Sequence, residues 1–95
     1  MPDLPLSGAQ KSHLRGLGQR LAPALKVGKG GLTAAFFAEL ERLLRAHELV
    51  KLRFLGAERA ERAALCARIA GEGRCAWVGS VGHTALFYRQ KPVPA

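Results

Sequence analysis

Residues 25–33 read LKVGKGGLT: a short apolar run, glycines at 28, 30 and 31 around Lys29, and a threonine placed to open a helix. Glycine tolerates backbone dihedrals closed to other residues, so this is the composition of a tight strand-to-helix turn. Ala24 to Val27 accordingly reads as a short strand. Thr33 is a good N-cap for a helix bearing Phe36, Leu40, Leu43, Leu44 and His47 at helical spacing, with Phe37 widening the apolar stripe.

Upstream, Ser7-Gly8-Ala9-Gln10 has the S-x-x-Q form of a capping box and starts a first helix over about 8 to 19. Leu14, Leu17 and Leu21 form its expected buried stripe. Gly16 and Gly18 each cost about 1 kcal/mol inside a helix, and Pro23 stops it soon afterwards. Lys11 and Arg15 flank the stripe on one side and His13 and Arg20 on the other.

Downstream, Leu49 to Leu55 alternates Val50, Leu52 and Phe54 with Lys51 and Arg53, the period of a half-buried strand with a basic outer face. Glu58 to Ala70 is an Ala-rich third helix that Gly71-Glu72-Gly73 should end. Cys75 to Val81 and Thr84 to Arg89 are two strands joined at Gly82-His83, a spacing that suits a type II′ hairpin. The order αβαβαββ predicts an α+β domain with a four-stranded mixed sheet packed with three helices. Its two β-α-β units should be right-handed with parallel pairing, and the hairpin adds an antiparallel strand.

Ninety-five residues suit one domain, here 1–95 with a core over about 7–91 and Pro-bearing tails. Fifteen Lys+Arg against seven Asp+Glu give a formal charge of +8, which favours a nucleic-acid or anionic-surface partner over a small neutral substrate. The excess is uneven: Lys11, Arg15, Arg20, Lys26 and Lys29 face only Asp3 within residues 1–33. Cys66 and Cys75 fit no metal spacing and read as free thiols of a reduced, cytoplasmic protein. His13, His47 and His83 share no metal spacing either, and neither paired carboxylates nor a Ser/His/Asp or Cys/His set can be assembled, so no enzyme, no metal and no cofactor are expected.

A glycine loop before a helix N-terminus is a seat for phosphate, because backbone amides and the helix dipole point at it. The plain alternative is a permissive turn with incidental lysines. Walker A fails, since Pro23 stands five residues before Gly28 and Gly30 follows Lys29 where Ser or Thr is needed. The Rossmann fingerprint fails because the next glycine after Gly31 is Gly56. What remains is G-x-x-G with a basic residue inside, the loop type with which KH domains clamp a nucleic-acid backbone.

Five blocks carry a family likeness: Leu14-Arg15; Leu21-Ala22-Pro23; Val27 to Thr33; His47-Glu48-Leu49-Val50-Lys51-Leu52; and Val81-Gly82-His83-Thr84-Ala85-Leu86-Phe87-Tyr88-Arg89. In these the chain resembles the YhbY-like, or CRM (chloroplast RNA splicing and ribosome maturation), domains. The resemblance implies a fold similar to the C-terminal domain of bacterial translation initiation factor three and structured RNA as ligand. It further implies ribosomal RNA of the large-subunit precursor as target, and an assembly-factor role like that of the free-standing bacterial members. Gly28, Lys29, Gly30 and Gly31 carry over as the G-x-x-G loop, Lys11 and Arg15 as the basic flank of helix 1.

His13, Arg20 and Lys26 join this set as further cations near the loop or helix 1. Lys51 and Arg53 either touch RNA or merely keep the sheet soluble. Trp77 and Tyr88 are read as core or edge packing in strands rather than as stacking platforms, His47 as closing helix 2, and His83 as occupying the hairpin. The expected state is a monomer without membrane or small-molecule partner. The competing reading is a protein-binding module of the ribosome or translation machinery that uses the open sheet or helix 3.

Overall fold

A computed structural model describes residues 7–28 and 30–90. Its elements run α1 (Gly8–Gly18), β1 (Leu25–Val27), α2 (Ala34–His47), β2 (Leu49–Phe54), α3 (Arg59–Gly73), β3 (Ala76–Val81) and β4 (Thr84–Tyr88). The α+β order αβαβαββ and the mixed four-stranded sheet are those the sequence predicts. The capping box also forms: Ser7 Oγ accepts from the Gln10 amide at 3.1 Å, and the Ser7 amide donates to Gln10 Oε1 at 2.8 Å.

Strand order is β1-β2-β4-β3, with β1 parallel to β2 and β4 antiparallel to both neighbours. The expected parallel pairing therefore holds only for β1 and β2, because β4 inserts between β2 and β3. Its run Ala85-Leu86-Phe87 is buried at every residue, so it needs cover on both faces and a ladder on both edges, which only a central position supplies. At the turn, Gly82 has φ +57° while His83 keeps a negative φ, as a II′ hairpin requires.

Alternation along the strands divides the apolar residues between two layers. Val27, Val50, Leu52, Phe54, Ala85 and Phe87 meet Phe36, Leu40, Leu43 and Leu44 of α2 and Cys66 and Ile69 of α3 in the main core. On the other face, Leu14 of α1 packs with Val78 and Leu86, bordered by Leu49 and Tyr88. The sheet thus lies between α1 and the α2–α3 pair.

Two expectations change. Leu17 and Leu21 stand 48% and 38% exposed, because the buried side of α1 runs through Leu14 to Gly18, whose missing side chain lets the helix settle on Leu86. Helix α3 does not stop at Gly71 but continues to Gly73, where a Cβ would stand 3.0 Å from Leu40 Cδ2; Arg74 takes the left-handed cap at φ 53°. Gly73 is there for close approach to α2.

Candidate nucleic-acid interface

The parallel register sets Lys26 of β1 beside Arg53 of β2, and Arg53 beside Thr84 of β4. Lys26, Lys51 and Arg53 alternate with the core residues Val27, Leu52 and Phe54, so they project on the α1 side of the sheet. Lys26 and Arg53 are exposed. Lys51 is not a free cation: its Nζ donates to the carbonyls of Gly18 at 3.3 Å and Leu21 at 3.2 Å, closing the C-terminal end of α1 where the helix dipole is negative.

Arg15 leans from α1 across β3. Its Nη1 donates to the Val78 carbonyl at 3.3 Å, and its aliphatic stem crosses Gly79, where a Cβ would stand 2.7 Å from Arg15 Cδ. Lys11 is half-buried, while His13 and Arg20 are exposed. His13 borders a shallow hollow with Gln10, Leu14 and Tyr88, and Arg20 lies in the turn that Lys51 braces. The sequence alone does not disclose that Arg15 and Lys51 brace α1; an isolated glycine in a strand, Gly79, was the available sign of a close approach.

The glycine loop leaves the sheet at the end shared with the Gly82-His83 turn: the Leu55 amide donates to the Val27 carbonyl at 2.9 Å, and the Phe54 amide to the His83 carbonyl at 2.8 Å. Lys29 lies outside the described residues. Gly28 and Gly30 are exposed, with open space where a Cβ would be. Gly31 has φ +71°, and its amide donates to the Gly28 carbonyl at 3.0 Å. That bond spends one of the amides expected to converge on an anion. At the start of α2, Thr33 Oγ1 accepts from the Phe36 amide at 3.0 Å, leaving the amides of Ala34 and Ala35 at the open N-terminus.

Charge divides by layer. The ion pairs among the described residues are Glu39 with Arg42, Glu41 with Arg45 at 2.7 Å, Arg68 with Glu72 at 2.5 Å, and Glu41 with Arg89 at 2.8 Å. All lie on α2 and α3 or tie Arg89, just past β4, to α2. Arg89 also donates to the carbonyls of Gly73 and Arg74, so it ends α3 as well as pairing Glu41. None of these pairs takes a cation from the α1 side.

Among the described residues, no three His, Cys, Asp or Glu side chains gather as metal ligands. Burial pushes the thiols of Cys66 and Cys75 up to about 11, so both are protonated at neutral pH. No helix among the described residues is long and apolar enough to cross a membrane.

The model of the CRS1 / YhbY (CRM) domain matches residues 6–89. A "Probable RNA-binding protein" of Pseudomonas aeruginosa is 41% identical over 91 residues, covering 96% of this chain and 88% of that protein. An "RNA-binding protein" of Haemophilus influenzae is 38% identical over 84 residues, 88% of this chain and 85% of that one. The solution structure of a candidate RNA-binding protein from Staphylococcus aureus superposes with a TM-score of 0.83 at 25% identity, covering 96% of this chain and 95% of its own.

Proposed function

We propose, on the premise that this chain belongs to the CRS1/YhbY (CRM) domain family, that it is a non-enzymatic RNA-binding protein. Its ligand is structured ribosomal RNA of the large-subunit precursor, and it acts in the cytoplasm as a monomeric assembly factor. The glycine loop at 28–31 and the cations of the α1 side hold the sugar-phosphate chain. Lys29 and the amides of Gly30, Ala34 and Ala35 supply the loop's share; Lys26, Arg53, Arg20, Lys11 and His13 extend the positive surface; Arg15 and Lys51 brace α1.

One observation carries this reading: every ion pair among the described residues lies off the α1 side, whose described cations have no carboxylate partner among the described residues. Such an unneutralised surface attracts a polyanion, and binding through it releases counterions and weakens with salt. The relatives named as RNA-binding proteins and the family likeness point the same way.

Co-sedimentation with ribosomal particles at low and high salt tests it. Association with large-subunit precursors, released by moderate salt, is the expected result. Persistence at high salt would favour a protein interface, and absence from the particles would overturn the assembly role.

A further inference from the structure

Across the sheet from α1, a cleft of about 510 Å³ opens between α3 and the β3–β4 turn, within the range of small-ligand sites. Arg59, Arg62, Trp77, Ser80 and Cys66 line it, and no carboxylate does. Trp77 stands on the edge strand β3 and is 36% exposed. Its indole N–H donates to Ser80 Oγ at 3.0 Å, which satisfies the ring's polar edge and fixes its orientation.

Arg62 is held by its Nη1, which donates to the Ala57 carbonyl at 2.7 Å and lies 3.2 Å from His83 Nδ1. A guanidinium has five N–H donors, so the rest of this fork remains for a ligand. Arg59 is exposed and has no ion-pair partner among the described residues. Glu58 and Glu61 share the helix but do not line the cleft. An aromatic ring beside unneutralised arginines is the combination that takes a stacked base and its phosphate.

We propose that this cleft takes an unpaired nucleotide, its base against Trp77 and its phosphate on Arg59 and Arg62. The cleft shares an end of the sheet with the glycine loop: Gly82 and Thr84 line it, and Thr84 is the register partner of Arg53. A strand leaving the loop side can therefore turn around the hairpin into it. The inference rests on the chain binding RNA, but not on the glycine loop making the contact.

Trp77 is the chain's one tryptophan, so its emission reports the site directly. The probe is a single-stranded oligoadenylate of about ten nucleotides, compared with inorganic polyphosphate of matched charge. Oligoadenylate should quench Trp77 and polyphosphate should not. Trp77→Ala should weaken binding by about 5- to 100-fold as read by anisotropy of a labelled oligonucleotide. Arg59→Gln, at an exposed position without an ion-pair partner among the described residues, should weaken it without changing the circular dichroism. Binding without quenching, at unchanged affinity in Arg59→Gln and Trp77→Ala, would overturn the cleft and spare the RNA reading. Equal quenching by polyphosphate would make it an anion site instead, and failure of both oligoadenylate and ribosomal RNA to bind would overturn both readings.

Discussion

Gly18 of α1 and Leu86 of β4 meet so closely that any side chain at 18 would displace Leu86: a Cβ there would stand 2.6 Å from Leu86 Cδ2 and 3.0 Å from Cγ. Gly16, two residues earlier, has nothing within 4 Å of such an atom. The two glycines carry the same helix-propensity cost and differ in everything else. Gly16→Ala should stabilise the domain by up to about 1 kcal/mol. Gly18→Ala should destabilise it by about 1–2 kcal/mol, since overpacking exceeds the propensity gain. Urea denaturation of both variants checks this, and stabilisation by both would show that Leu86 moves aside freely.

Lys51 and Arg53 are two residues apart on the same face of β2 and separate into different roles. Lys51 is bonded to the carbonyls that end α1, whereas Arg53 is exposed without an ion-pair partner among the described residues. Lys51→Met should cost about 1–2 kcal/mol of stability, the worth of a charge-assisted helix cap. Arg53→Gln should leave the unfolding midpoint unchanged and weaken RNA binding. Denaturation and filter binding on both proteins separate the effects, and the opposite assignment would exchange brace and contact.

These two residues also mark where sequence legibility ends. Period-two alternation places Lys51 and Arg53 on one face, and a helix cap can be read at Thr33, because both signals are local. The partner of Lys51 lies on another element, 30 and 33 residues away. Strand order is hidden for the same reason: the continuous run Ala85-Leu86-Phe87 marks a central strand, yet nothing local says which strands it separates. The leucine stripe of α1 misled because periodicity weighs side chains, and the closest approach of that helix is made by a residue that has none. At the loop, spacing identified the glycines but could not show that the Gly31 amide closes the turn.

Glu41 predicts a pH dependence. Hydrogen bonds from Arg89, then from Arg45, hold its carboxyl down to about 2 from an ordinary 4.5. A depressed carboxyl stabilises the folded state fully above its unfolded value, and that contribution is lost as pH falls through the folded value. Stability should therefore decline between about 4.5 and 2 through this residue, by less than the full shift implies because the side chain is 40% exposed. Glu41→Gln should be less stable at neutral pH and flatter across that window. Denaturation midpoints against pH read this directly, and parallel curves for the two proteins would remove the pair from the acid response.

The glycine loop yields the prediction on which the proposed function depends most. Gly30 is exposed and leaves open space for a side chain, so Gly30→Asp should fold with unchanged circular dichroism. It should nevertheless weaken RNA binding, because a carboxylate would stand beside the amides at the start of α2 and repel phosphate. Lys29→Ala should act differently, lowering the slope of log affinity against log salt by about one unit, the signature of one lost phosphate contact. The two variants test distinct parts of the loop. If Gly30→Asp folds and binds ribosomal RNA as tightly as the parent, while Lys29→Ala keeps the parent's slope, the polynucleotide does not sit on this turn and the interface belongs elsewhere on the domain.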